Sequence, residues 1–155
     1  MNPLVIDASV AFKWVVDEAY TEQARTLLAD AISGGVPLLG PPHLPSEVAN
    51  ALYRCGLRTG PNAISSQDAE AALTDFLSFP IRLADPHPLY LDAFHFAQAH
   101  QLSSLYDAAY VVLAQAVGVE LWTDDQRLLQ SLGANAPWVR WIGDYPLTSA
   151  GGSSR

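Results

Sequence analysis

The chain reads as an α/β domain built on a central, mainly parallel sheet of about five strands, with helices on both faces. Three observations predict this. Short apolar runs without polar alternation, Leu4-Val5-Ile6 first among them, have the character of strands buried on both faces. They alternate with helical segments in the order strand, two helices, strand, two helices, strand, two helices, strand, helix, strand. No internal repeat or linker divides the 155 residues, an ordinary length for one domain with its own core.

Taken in order, the first strand ends at Asp7, the position at which open α/β sheets place their chemistry. Ser9–Val16 follows as a short helix that Asp7 or Ser9 can cap, with Lys13 as its only base. Thr21–Ile32 is a second helix, with Ala24, Leu27, Leu28 and Ala31 on one face and Gly34-Gly35 as its stop. Val36–Leu39 is the second strand. Pro45-Ser46 opens a third helix over Glu47–Leu57, with Glu47 in its first turn. At about 100° per residue, positions 54 and 58 return to within about 20° of position 47, so Glu47, Arg54 and Arg58 are expected to form one stripe. Ser65-Ser66-Gln67-Asp68 is a capping box for a helix to about Phe79, and Pro80–Ala84 is the third strand. Asp85-Pro86 starts a helix to about Gln101. Its His95 and His100 do not share a face as zinc ligands would. Tyr106–Val117 is apolar almost all the way round and is expected to be buried on several sides, with Asp107 in its first turn. Glu120–Thr123 is the fourth strand, Asp124-Asp125 follow it, Gln126–Leu132 is a short helix and Trp138–Ile142 the last strand. Residues 1–145 therefore make one domain, and residues 146–155 are expected to be a disordered tail.

Composition narrows the function classes. With 8 basic and 16 acidic residues the net charge is -8, which opposes non-specific attraction to nucleic acid, so any such contact must be local. Cys55 is the single cysteine, which excludes an internal disulfide framework and suits a reducing compartment. Asp7 and Lys13 interrupt the one stretch that could imitate a signal peptide, and no apolar run is long enough to cross a membrane, so a soluble cytoplasmic protein is expected. Charged residues are only 15% of the chain and apolar ones 50%, which suggests that part of the surface is covered by a partner or a second copy.

In a parallel sheet the strand ends after which acids occur lie on one edge. Asp7 ends strand one, Glu47 starts the helix after strand two, Asp107 starts the most buried helix, and Asp124 with Asp125 follow strand four. Any one of them alone reads as a helix cap or a partner for the helix dipole. Four carboxylates in one cleft repel one another unless a cation sits among them, and oxygen-only ligation selects a hard ion, Mg²⁺ or Mn²⁺. Such an ion is suited to activating water against a phosphodiester. Lys13, Arg54, Arg58 and Arg127 are the bases available to contact the phosphates of such a substrate.

The segments Leu4-Val-Ile-Asp7-Ala-Ser, Pro45-Ser-Glu47-Val-Ala-Asn-Ala-Leu52, Leu105-Tyr-Asp107-Ala-Ala-Tyr110 and Trp122-Thr123-Asp124-Asp125-Gln-Arg-Leu128 resemble, in order, the four acidic motifs of PIN-domain ribonucleases, most closely VapC-type toxins of toxin-antitoxin pairs. The resemblance implies the three-layer PIN-like fold and a Mg²⁺-dependent endoribonuclease in which Asp7, Glu47, Asp107 and Asp125 surround the ion. It implies that Asp7 and Asp107 are the nearest ligands, that Thr123 supports the site, and that Asp125 is preferred over Asp124 because the family pattern is threonine, any residue, aspartate. It further implies a VapB-type antitoxin that silences the enzyme, an RNA substrate, and a homodimer.

Two alternatives remain at this point: a PIN-type nuclease of RNA processing without an antitoxin, and, from another class, a Mg²⁺-binding receiver-like signalling module. The second fits poorly, because it requires an acid pair after strand one, where Asp7 is followed by Ala8-Ser9, and an aspartate after strand three, where Asp85 leads into Pro86. A haloacid-type phosphatase would carry an acid where Ser9 stands. A nuclease that only binds RNA would not need all four acids.

Overall fold

The computed structural model describes residues 2–61 and 63–147. The elements are β1 (Leu4–Ile6), α1 (Ala8–Lys13), α2 (Thr21–Gly34), β2 (Leu38–Gly40), α3 (Leu44–Gly56), α4 (Ser66–Leu77), β3 (Ile81–Leu83), α5 (Pro86–His100), α6 (Leu105–Val117), β4 (Leu121–Thr123), α7 (Gln126–Leu132) and β5 (Val139–Trp141). Single 3₁₀ turns, Gly133–Asn135 and Ile142–Asp144, flank β5. The five strands pair in the order β3-β2-β1-β4-β5, every pairing parallel. The expected sheet is therefore present and wholly parallel. Residues 148–155 of the expected tail lie outside the described residues.

β1 is central, with Leu4 opposite Leu38 on one side and Val5 and Ile6 opposite Leu121 and Trp122 on the other. Chain order leaves β1 toward β2 and β3 and then crosses back to β4. The crevice between the ends of β1 and β4 is thus the topological switch point, the usual location of a site in such a sheet. Val5, Ile6 and Leu121 are fully buried, and so must be covered on both faces of the sheet. α6 supplies much of the cover: all seven residues from Ala108 to Ala114 are buried, as its all-round apolarity predicts. Among the described residues no helix is long and apolar enough to cross a membrane.

Local chemistry sets the ends that matter for the site. Asp7 caps α1 by accepting from the Val10 N–H, Ser65 caps α4 through the Asp68 N–H, and Asp125 caps α7 through the N–H groups of Arg127 and Leu128. Two boundaries differ from expectation. α1 stops at Lys13 rather than running to Val16. α3 begins at Leu44, with Pro45 in the first turn where its missing N–H is harmless, and ends at Gly56. Arg58 therefore lies beyond the helix, and the expected stripe reduces to Glu47 and Arg54.

Candidate metal centre

Asp7 projects from the end of β1 and is 6% exposed. Its Oδ1 accepts from the Ser9 hydroxyl at 2.6 Å and the Val10 N–H at 3.2 Å, while Oδ2 accepts from the Thr123 hydroxyl. Each hydroxyl also accepts: Ser9 from the Asp124 N–H at 2.8 Å, and Thr123 from the Asp125 N–H at 2.9 Å. Two hydroxyls thus tie the loop after β4 to the carboxylate that ends β1. Oδ1 spends both acceptor positions on these bonds, whereas Oδ2 keeps one. Thr123 needs both a donor and an acceptor. Thr123→Val is therefore expected to cost about 1 to 3 kcal/mol, with Thr123→Ser near wild type; urea unfolding of the two variants checks this.

Glu47, in the first turn of α3, has Oε1 2.8 Å from the Tyr110 hydroxyl of α6, which donates to it. His43, immediately before α3, has Nε2 3.3 Å from the same oxygen. Asp107 stands in the first turn of α6, whose N-cap Ser104 accepts from the Asp107 N–H at 3.5 Å.

The four acids sense one another. Burial lifts Asp7 to about 6, against its three hydrogen bonds and with the Asp125 charge adding to the rise. Glu47 is lifted to about 7 by burial, with opposition from Tyr110 and further push from the charges of Asp7 and Asp107. Asp107 is raised by burial and by Asp125. Burial and then the Glu47 and Asp7 charges hold Tyr110 far above the ordinary phenol range, so its hydroxyl stays a donor. The parallel sheet therefore brings Asp7, Glu47, Asp107 and Asp125 together, as the strand order demands.

Asp124 points elsewhere. Its Oδ2 is 2.8 Å from Lys13 Nζ, and its Oδ1 accepts from Trp141 Nε1 at 3.0 Å. Lys13, expected at an RNA phosphate, is instead 3% exposed, and its ammonium also reaches Glu18 Oε1 at 2.6 Å. Burial pulls its pKa down, but the bonds to Asp124 and Glu18 outweigh that pull and raise it, so the charge is retained and neutralised internally. Arg127 is exposed on the first turn of α7, beside Asp125. Arg54 and Arg58 are exposed and line a separate cleft with Phe12, Asp17 and Glu18 between the ends of α1 and α3. Seven residues of helix place Arg54 about 10 Å along the axis from Glu47.

The donors suit a hard divalent ion: they are carboxylate oxygens, mutually repelling, with Asp7 Oδ2 and Glu47 Oε2 left unsaturated. Among the described residues no three histidine, cysteine, aspartate or glutamate side chains could hold an ion as they stand.

His43 and Ser9 were not visible as site residues in the sequence. The one local signal was the position of Ser9 two residues after Asp7, where a hydroxyl can fold back on an Asx cap. His43 gave none, because its partners come from α5 and α6.

The family model "PIN domain" matches residues 4–133. Ribonuclease VapC12 of Mycobacterium tuberculosis is 33% identical over 133 residues, covering 86% of this chain and 95% of that protein. Ribonuclease VapC1 of the same organism is 36% identical over 138 residues, 86% of this chain and 93% of its own. Ribonuclease VapC3 of Pyrobaculum aerophilum is 31% identical, at 84% and 95% coverage. The crystal structure of PAE2754 from Pyrobaculum aerophilum superposes with a TM-score of 0.64 at 21% identity, over 92% of each chain, and shares the fold. With the family model spanning all four acids and the VapC relatives aligned over most of the sequence, the chain belongs to the PIN-domain family.

Proposed function

We propose that the protein is a Mg²⁺-dependent endoribonuclease of the VapC type, the toxin of a toxin-antitoxin pair. The observation that carries this reading is the convergence of Asp7, Glu47, Asp107 and Asp125 at the switch point, where burial first and neighbouring acid charges second raise the carboxyls of Asp7, Glu47 and Asp107. A hard divalent ion bound there supplies an activated water and offsets the charge that builds on the phosphate. Asp7 and Asp107 would hold such an ion, with Glu47 and Asp125 beside them. Ser9 and Thr123 hold the Asp7 carboxylate in place and tether the loop that carries Asp125. One of these carboxylates also takes the proton of the attacking water. Arg127, on the rim beside Asp125, contacts the RNA backbone, and Arg54 and Arg58 extend that contact along α3 and beyond. Lys13 serves the same substrate indirectly by fixing Asp124. Mn²⁺ replaces Mg²⁺ in such a carboxylate site, since both accept oxygen donors. A VapB-type antitoxin occupies the cleft in the silent complex, and the toxin is a homodimer in the cytoplasm.

Purified protein free of any partner is expected to cut single-stranded RNA with Mg²⁺ or Mn²⁺, to leave 5′-phosphate and 3′-hydroxyl ends, and to stop in EDTA. Cleavage that continues undiminished in EDTA would sink the metal-dependent reading.

A further inference from the structure

His43 is 8% exposed, and three tyrosine rings surround its imidazole: Tyr90, Tyr106 and Tyr110, at centroid distances of 5.7, 4.8 and 5.3 Å. Its Nδ1 lies 2.9 Å from the Tyr90 hydroxyl, contributed by α5 from 47 residues away. Its Nε2 is fully buried and makes no well-directed hydrogen bond, yet it lies 3.3 Å from Glu47 Oε1. A ring packed on several sides by aromatic groups has little freedom to turn elsewhere. The Tyr110 hydroxyl approaches that same Oε1. Two neighbours from different elements therefore address one oxygen of Glu47, and among the described residues no hydrogen bond engages the other.

We propose that His43 is a positioning residue for Glu47. The Tyr90 hydroxyl donates to Nδ1, which places the ring proton on Nε2; the Nε2–H then faces Oε1 and, with Tyr110, fixes the carboxylate, so that Oε2 would be free to hold a cation. The opposite tautomer would set an Nε2 lone pair against a carboxylate oxygen, which is repulsive. A glutamate has three side-chain torsions to order, and supports of this kind account for about 10- to 100-fold in metal affinity. This deepens the proposed function and rests on Glu47 being a site acid.

The test is Mn²⁺ affinity, read from the paramagnetic resonance signal of free Mn²⁺, on the wild type, His43→Phe, His43→Gln, Tyr90→Phe and Glu47→Gln, with metal-free melting of each. His43→Phe keeps an aromatic ring in the cluster and removes both nitrogens; it is expected to weaken Mn²⁺ binding about 10-fold or more. Tyr90→Phe weakens it less, and His43→Gln, whose amide N–H can reach toward Oε1, restores most of it. Unchanged affinity in folded His43→Phe overturns the proposal, as does a His43→Gln variant that binds no better than His43→Phe. Should His43→Phe fail to fold, unchanged affinity in Tyr90→Phe overturns it instead. A Glu47→Gln variant with wild-type Mn²⁺ affinity overturns the site reading itself, a result distinct from failure at His43 alone.

Discussion

Lys13→Met is expected to lower the melting temperature by about 5 to 10 °C, equivalent to about 2 to 3 kcal/mol. The ammonium is buried, while its partners are not equally so: Asp124 is 20% exposed and Glu18 41%. Methionine fills most of the space of the lysine stem. What is lost is the charge that allows Asp124 to sit against α1. Because Asp124 can rehydrate, the effect falls at or below the lower end of the range for breaking a buried pair. Asp124→Asn is the harsher change at the same contact, since it strands a buried ammonium with only Glu18 to meet it. The two substitutions together should cost less than the sum of their separate effects, and a double-mutant cycle by calorimetry measures that coupling. A Lys13→Met protein that melts within about 2 °C of the wild type would show that the buried ion pair contributes little. Activity should fall as well, because Asp124 anchors the loop that presents Asp125. Its N–H rests on Ser9, its Oδ1 on Trp141 and its Oδ2 on Lys13.

Asp7→Asn has the second large effect, with opposite signs for stability and activity. Cleavage should drop at least about 100-fold, as when a preorganised electrostatic group is removed from an active site. The metal-free protein should become more stable at neutral pH. A carboxyl whose folded pKa is about 6, against an ordinary value of 3.8, binds protons more readily folded than unfolded. Its stabilising contribution is therefore complete below about pH 4 and is lost as pH rises through about 6. For the buried Asp7 this amounts to about 3 kcal/mol, or about 6 to 12 °C in melting temperature. Glu47, lifted to about 7, extends the same loss toward neutrality. In EDTA the wild type should melt higher at pH 5 than at pH 8, the gap should narrow in Asp7→Asn, and Mg²⁺ should recover most of the loss at pH 8. A wild-type melting temperature that rises between pH 5 and pH 8 without metal would contradict the burial, and the added repulsion, assigned to the acids.

Much of the site was legible in the sequence because its logic is local and topological. Asp7 follows a strand that is apolar throughout, Asp107 sits in the first turn of a helix that is apolar all round, and Glu47 follows a proline that fits only a first turn. Given parallel strands, those three places must share an edge. Between the neighbouring acids Asp124 and Asp125, however, sequence offered only the family's spacing. The structure separates them by their partners: Asp125 caps α7 and its charge acts on Asp7 and Asp107, while Asp124 is engaged by Lys13 and Trp141.

The same division runs through the whole molecule. Periodicity, caps and strand order are properties of neighbouring residues, so the amino-acid sequence by itself determined the five-stranded parallel sheet, the helix starts at Asp7, Ser65 and Asp125, and the edge where the acids meet. Only the tertiary structure decided that Lys13 is buried rather than offered to a phosphate, that Arg58 leaves the helix of Glu47, and that His43 faces Glu47 from within a cluster of tyrosines. Those outcomes depend on which distant side chains share a volume. A buried charge or imidazole takes its role from the partners that compensate its lost hydration, and those partners come from elements far along the chain.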